Sequence, residues 1–193
     1  MRQKLFILLA WGFLFEGIPV HAQIKYEREY KLNLSEVPPM ARSFVDSCKF
    51  SSKIKWYKEE SEAGNSVEAK VREAGILFSI EFGTGGEIQD VEVDIKLQKI
   101  DPNTRKAFEE ELEKIFKKYR IQRIQVQWTG SRKSLLYLIR NENIVLRKTR
   151  KYELIVKGKK EKSHALYEIL FDEQLKIERI AKIKTRNTDN MDF

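Results

Sequence analysis

Few side chains in this sequence are suited to covalent or acid–base chemistry. A Ser-His-Asp arrangement would have to use His164, which follows a lysine-rich run from Lys157 to Ser163 that is typical of an exposed hairpin loop. A zinc site usually needs several histidine or cysteine ligands, and beyond His164 the chain after residue 22 offers only Cys48. We therefore expect no catalytic residue, no metal and no cofactor, and we do not expect an enzyme.

Carboxylates are the remaining candidates for chemistry. Glu81, Glu92, Asp94 and Glu168 fall at alternating positions, so they could lie on one face of a sheet. Glycosidase-type catalysis needs two carboxyl groups at a set separation in a cleft. No pattern predicts a cleft here, and outward charge on a solvated sheet face is the ordinary interpretation. The glycines of 83–86 lack the lysine and helix of a phosphate-binding loop, so a β-turn explains them better.

Cys48 lies at the end of an apolar stripe with helical spacing. The stripe comprises Val37, Met40, Ala41, Phe44, Val45 and Cys48. A cysteine on such a stripe is usually a buried core thiol, and a reactive or dimer-forming thiol is the alternative. With only one cysteine the chain forms no internal disulfide, so packing alone must stabilise it.

Residues 1–22 have the three parts of a secretory signal. Arg2 and Lys4 precede an apolar run over 5–15, and a small residue stands at the expected cleavage point, Ala22. The run is shorter than the roughly 20 apolar residues that cross a bilayer, and no later segment is apolar enough to do so. We expect an exported protein, periplasmic or secreted, with a polar tail over 185–193.

The charge balance is basic, with 37 Lys and Arg against 29 Asp and Glu. Basic proteins often bind nucleic acid or anionic surfaces. The charges here alternate in sign, as in Glu68, Lys70, Arg72 and Glu73, which is typical of a solvated strand face. Together with export, this pattern argues against a nucleic-acid partner.

Periodicity predicts an α+β fold with mostly antiparallel strands. One helix opens at Ser35 and carries Cys48, and a second begins near Pro102 with Asp101 as its N-cap. Alternation predicts strands in both halves. They lie over 25–32, 53–59, 67–71, 76–82, 88–95, 124–128, 134–139, 152–156, 167–171 and 175–183.

The two halves resemble each other in order and spacing. Phe44 precedes Trp56 by the same 12 residues that separate Phe116 from Trp128. Further on, Phe82 matches Phe171 at a larger offset, which predicts an insertion over 131–147. The mature domain over 23–184 would then contain two repeats, about 23–98 and 99–184. Their two helices would pack on one face of a shared, curved antiparallel sheet.

These motifs resemble those of PepSY-like domains. The resemblance rests on the helix with Cys48, on Ile54–Glu60, Val67–Val71 and Phe78–Phe82, and on Gly86–Ile88. That family is related in fold to the β-lactamase inhibitor protein and is common among exported proteins of Bacteroidota. The family often has Asp after the strand-ending Phe, where this chain has Gly83 and Asp172. The resemblance implies helices on one side of a curved sheet and, by analogy, protein binding.

The leading functional hypothesis is a non-enzymatic module that docks a protein or peptide through the open sheet face. Tyr and Arg are residue types that often anchor interfaces, although an ordinary solvated face is the alternative. The predicted docking residues are Lys55, Tyr57, Lys70, Arg72, Glu81, Arg123, Gln125, Gln127, Glu153 and Glu168.

A second hypothesis uses basic loops instead of the sheet face. Lysines and arginines cluster over 147–151 and again over 157–162. They could bind an anionic envelope glycan or lipid head groups.

Overall fold

The computed structural model describes residues 23–25, 27–61, 64–142, 144, 146–160 and 163–184. Residues 1–22 and 185–193, which carry the predicted signal and tail, lie outside this part. The strands are β1 Gln23–Lys25, β2 Glu27–Lys31, β3 Lys55–Ser61, β4 Gly64–Glu73, β5 Ile76–Gly83, β6 Ile88–Asp94, β7 Lys118–Gly130, β8 Lys148–Lys160, β9 Ser163–Phe171 and β10 Ile177–Ile183. The helices are α1 Pro39–Cys48, α2 Pro102–Ile115 and α3 Arg132–Ile139, and short 3-10 turns at Leu34–Glu36 and Leu97–Lys99 precede α1 and α2.

All ten described strands form one sheet in the order β1-β10-β9-β8-β7-β6-β5-β4-β3-β2. Neighbouring strands from β2 to β10 run antiparallel, and only the short β1 pairs in parallel, with β10. From β2 to β10 the chain therefore crosses the sheet strand by strand, with α1, α2 and α3 inserted between consecutive strands. β1 directly precedes β2 along the chain but pairs with β10, at the other end of the strand order. This is a mixed α+β fold built on an antiparallel sheet, as the sequence predicts.

The helices pack against one face of the sheet through two apolar clusters. In the first cluster, Phe44 of α1 meets Phe82 at a ring separation of 5.8 Å. In the second, Phe108 of α2 lies 4.8 Å from the ring of Phe171. Trp128 of β7 packs against both clusters and so joins them across the sheet.

The prediction of two helices and of a strand over 134–139 is wrong. Residues Arg132–Ile139 form α3, whose N-terminus is capped by Ser131 accepting a hydrogen bond from the backbone N–H of Ser134 at 3.1 Å. The segment is a short apolar run, and periodicity alone does not separate a strand from a buried helix in such a run. Leu135 of α3 is fully buried in the cluster that contains α1.

The residue pairing inferred from equal spacing also differs from the observed geometry. Phe44 lies within α1, whereas Phe116 follows the end of α2. When the two segments are aligned in sequence on the 3-10 turns that precede the helices, Val37 falls opposite Ile100 and Val45 opposite Phe108, and all four are buried. The equal spacing of Phe44–Trp56 and Phe116–Trp128 does not reflect equivalent positions in the helices, because α2 has 14 residues and α1 has 10.

Among the described residues, the helices are all too short or too polar to cross a bilayer.

Candidate functional site

The sheet face opposite the helices, called the polar face below, carries all ten predicted docking residues. Strand register establishes this, because Tyr57 lies opposite Glu68, Glu68 opposite Glu81, and Glu81 opposite Asp90. Residues directly opposite each other in a sheet share a face. The same reasoning extends across the central strands, where Gln127 lies opposite Glu92, and Gln125 lies opposite Glu153.

Exposure across the polar face is uneven, and this corrects the expected open surface. Lys55 and Arg72 are exposed, whereas Tyr57, Lys70, Glu81, Arg123 and Gln127 are half-buried. Three predicted docking residues are buried instead: Gln125, Glu153 and Glu168 are 4%, 8% and 3% exposed. Their strands, β7, β8 and β9, are interior strands with a paired neighbour on each side. Burial of both faces is expected where a sheet bends and side chains converge on the inner side.

Carboxyl groups meet at the centre of the polar face. We call this set the acidic centre: Glu68 on β4, Glu81 on β5, Asp90 and Glu92 on β6, and Glu153 on β8. Glu81, Glu92 and Glu153 are among the candidate residues predicted from the sequence, whereas Glu68 and Asp90 are not. Alternation does place those two on the polar side of their strands. Only the register shows that they adjoin other carboxyl groups.

Burial and crowding raise the pKa values of the acidic centre. Asp90 is 7% exposed, and burial together with Glu81 and Glu153 raises its pKa to about 8. Burial, Glu153 and Asp90 raise the pKa of Glu92 well above its usual value. Both effects have one cause, since a carboxylate held away from water beside like charges favours its protonated form. Near neutral pH this surface therefore holds protons that ordinary carboxyl groups would have released.

Neutral donors supply part of the hydrogen bonding in the acidic centre. Gln125 donates from Nε2 to Glu92 at 2.7 Å. Gln127 donates to Oδ2 of Asp90 at 3.3 Å, and Ser79 donates to Glu68 at 2.6 Å. Oδ1 of Asp90 is buried and has no hydrogen-bond partner among the described residues. Since buried polar atoms are usually paired, this oxygen is an exception.

Three cations of the polar face lie around the acidic centre and pair with carboxylates outside it, whereas Lys70 also contacts Glu68 at 3.1 Å. Arg123 contacts Asp94 at 2.9 Å, and Arg179 contacts Glu168 at 2.8 Å. Lys151 donates to Glu178 at 2.7 Å. The face therefore has a mixed-charge rim and an acidic middle.

One group of carboxylates has a spacing that a metal ion could use. Oxygens of Glu29, Glu59 and Glu68 lie within 4.8 Å of one another. However, the ammonium of Lys70 lies 2.7 Å from Glu29 and 3.1 Å from Glu68. Burial lowers the pKa of Lys70, but the two carboxylates outweigh it and raise the pKa overall. This group therefore fits an internal ion pair better than a metal site.

His164 is exposed, as the sequence predicts, but it lies in β9 opposite Lys159 and not in a loop. The basic segments also belong to regular structure, because Lys148–Lys160 is the continuous strand β8. Its buried stretch over 152–156 separates the two basic ends by about 20 Å, at roughly 3.3 Å per residue. Near one end, Lys148 lies 5.3 Å from the Trp128 ring centroid, and near the other Lys160 lies 5.2 Å from that of Tyr167. The two clusters are therefore not neighbouring loops.

Cys48 is a buried core thiol, as predicted. It is 5% exposed, and its Sγ donates to the backbone oxygen of Phe44 at 3.3 Å. Burial raises the pKa of the thiol to about 12, although Arg140 and Arg132 oppose the shift. The thiolate, which is the nucleophile, is therefore scarce at neutral pH.

We expect native Cys48 to resist alkylation and disulfide exchange. At pH 8 the labelling rate with Ellman's reagent should be at least about 100-fold slower in native buffer than in guanidinium chloride. The unfolded protein is the internal control, since it contains the same thiol without burial. Equal rates in the two conditions would contradict a buried, inert thiol.

Comparisons with known proteins support the fold only. No family model matches the chain, and no curated protein matches it. A solved structure that does match is a DUF2874 family protein from Bacteroides ovatus, with a TM-score of 0.51 and 11% sequence identity. The match covers 76% of this chain and 88% of that one. A Bacteroides protein thus shares this architecture.

Proposed function

We propose that the protein is an exported, non-enzymatic binding module whose polar face docks a partner protein or peptide. The observation that carries this proposal is the polar face itself, which extends over the central strands and has no described helix across it. The apolar side of the sheet is already covered by α1, α2 and α3. The polar face is thus the sheet surface that the described helices leave uncovered, and its exposed and half-buried side chains are the ones offered to a partner.

Side chains at the rim support docking. Tyr57 is half-buried, and its ring is fixed beneath Lys70, with 5.2 Å between Nζ and the ring centroid. Arg123 is held in place by Asp94. Side chains already ordered in the free protein lose less conformational entropy on binding, which favours their use as anchors.

A site-specific photo-crosslinker tests the docking face. A photoreactive phenylalanine analogue at position 57 should give a discrete adduct in cells, and the same analogue at position 106 on the exposed side of α2 should not. Arg123→Ala should weaken formation of the adduct about tenfold, as expected for loss of an interface anchor, while Lys106→Ala should leave it unchanged. The same adduct pattern at positions 57 and 106 would contradict docking on the polar face.

We also propose that the fold arose from a duplicated unit of the PepSY-like, β-lactamase-inhibitor-like type. Two features support this beyond the helix alignment. The β5–β6 loop is closed by Gly83 N–H donating to Glu87 O at 2.8 Å, and the β9–β10 loop by Asp172 N–H donating to Lys176 O at 2.9 Å. These loops are related by the same offset that relates Phe82 to Phe171. The third helix, α3, falls in the segment where an insertion in the second half is expected.

A further inference from the structure

Glu81, Asp90 and Glu92, in the middle of the acidic centre, have no described cation beside them. Within the part of the chain that the structure describes, no Lys or Arg nitrogen lies within 4.0 Å of a carboxylate oxygen of Glu81, Asp90 or Glu92. Lys70 reaches only the Glu68 edge of the centre. Like charges directly opposite each other in a sheet are destabilising, so this arrangement has a stability cost that packing of the fold does not require.

Oδ1 of Asp90 is the atom that points to a ligand. Asp90 is 7% exposed. Its Oδ2 accepts a hydrogen bond from Gln127, but its Oδ1 has no hydrogen-bond partner among the described residues. Asp is one methylene shorter than Glu, so Asp90 lies lower on the face than its partly exposed neighbours Glu81 and Glu92. An ammonium group held between the two glutamates would be a donor for the unpaired oxygen.

We infer that the acidic centre receives a lysine side chain of the docked partner, with its ammonium group between Glu81, Asp90 and Glu92. This inference rests on the proposed docking function and names the chemistry that the partner must carry. An ammonium group has three donors and a compact charge on a flexible stem. It therefore suits a narrow site lined by several carboxylates, whereas the planar guanidinium of arginine suits a single bidentate partner.

Divalent cations are a less suitable occupant. The Nε2 amides of Gln125 and Gln127 already donate to Glu92 and Asp90. An amide that donates to a carboxylate occupies lone pairs that a metal ion would need. Calcium takes 6–8 oxygen ligands, which would require these amides to turn away. An ammonium needs only the oxygens that remain free.

Binding of the lysine should release protons. Charged groups facing Asp90 from the packed strands are Glu59 on β3, Glu68 and Lys70 on β4, Glu81 on β5, Glu92 on β6, and Glu153 and Lys151 on β8. Acidic groups dominate this set, and Lys70 and Lys151 are paired with Glu29 and Glu178. At pH 7 the carboxyl group of Asp90 is mostly protonated, so an entering ammonium must displace its proton. Affinity should therefore rise as the pH rises through about 8.

Calorimetric titration of the full-length mature protein tests this inference. The probe is a hexapeptide of alternating serine and lysine, compared with the same peptide acetylated at every lysine. We expect binding of the lysine peptide alone, with about tenfold weaker affinity in Asp90→Asn and Glu92→Gln. Glu109→Gln, at an exposed position on the opposite side, should match the wild type. Titrations at pH 7 in buffers of different ionisation enthalpy should show proton release.

Other outcomes would overturn the inference. Equal binding of the acetylated peptide, or unchanged affinity in Asp90→Asn, would show that the acidic centre does not hold a lysine. Calcium chloride binding that Asp90→Asn abolishes, without peptide binding, would assign the centre to a metal instead. Spermidine binding without peptide binding would assign it to a small polyamine. The crosslinking result at position 57 is independent of all these outcomes, so docking and lysine recognition fail separately.

Discussion

Asp90→Asn is expected to stabilise the protein at alkaline pH and to have little effect in acid. The pKa of Asp90 is about 8 in the folded protein, because burial and neighbouring carboxylates disfavour its charge, against 3.8 for the ordinary group. Between these values the folded state binds more protons than the unfolded state. Stability from this group is therefore present below about pH 4 and lost as the pH rises through about 8. The amide of Asn never ionises, so Asp90→Asn avoids this loss of stability at alkaline pH.

Thermal unfolding followed by circular dichroism at pH 5 and pH 9 measures the effect. At pH 9 the melting temperature of Asp90→Asn should exceed that of the wild type by about 3–8 °C, which corresponds to about 1–2 kcal/mol for a domain of this size. At pH 5 the difference should shrink to about 1 °C. Asp94→Asn is the matched control on the same strand. Its carboxylate is paired with Arg123, so neutralising it should not stabilise the protein at either pH.

The contrary result would be informative about the acidic centre. A lower melting temperature of Asp90→Asn at pH 9 would mean that the charged carboxylate is favourable in the folded state. Such a result would require a cation near Oδ1 in the free protein. It would contradict both the raised pKa and the argument for an external lysine.

Phe108→Ala is expected to lower stability far more than any of the polar substitutions considered. Phe108 is fully buried and packs edge-on against Tyr152 at 5.2 Å and against Phe171 at 4.8 Å. Truncating a buried phenylalanine costs about 3–5 kcal/mol, because apolar contact is lost and a cavity remains. The free energy of unfolding from urea titration should fall by that amount at every pH.

Phe82→Ala tests whether the two apolar clusters unfold together. Phe82 is buried in the other cluster, between Phe44 and Trp56. Because Trp128 packs against both clusters, we expect a single transition and a similar loss of about 3–5 kcal/mol. Leu34→Ala, at a position 59% exposed, is the control and should change stability by less than about 0.5 kcal/mol. Two separate transitions in either core variant would show that the halves are independent.

The pH profile separates these two classes of change. A core truncation removes contacts that do not titrate, so its cost is constant with pH. Asp90→Asn changes the number of protons bound on folding, so its effect must vary with pH. Binding of a cation at the acidic centre would depend on the apolar core as well as on the carboxyl groups, since the packed sheet holds these like charges close together.

The order of residues is enough to predict most local elements and the faces of their side chains. Alternation assigned Tyr57, Lys70 and Glu81 to the side of the sheet opposite Trp56 and Phe82, and helical spacing placed Phe44 and Cys48 in the core. These properties depend on a residue and its near neighbours along the chain, so a one-dimensional pattern contains them. The pattern was insufficient at 134–139, where a short apolar run suits either a strand or a helix.

Which charged side chains lie next to one another depends on how the strands pair in the folded protein. Glu68, Glu81 and Asp90 come from three strands, and their adjacency is a matter of hydrogen-bonded register. Register depends on turns and pairing between distant segments, and a slip of one residue would move each side chain to the other face. Burial is likewise a sum over neighbours from many elements, so the raised pKa of Asp90 and its unpaired oxygen have no signal in the order of the residues. The acidic centre is thus a property of the assembled sheet.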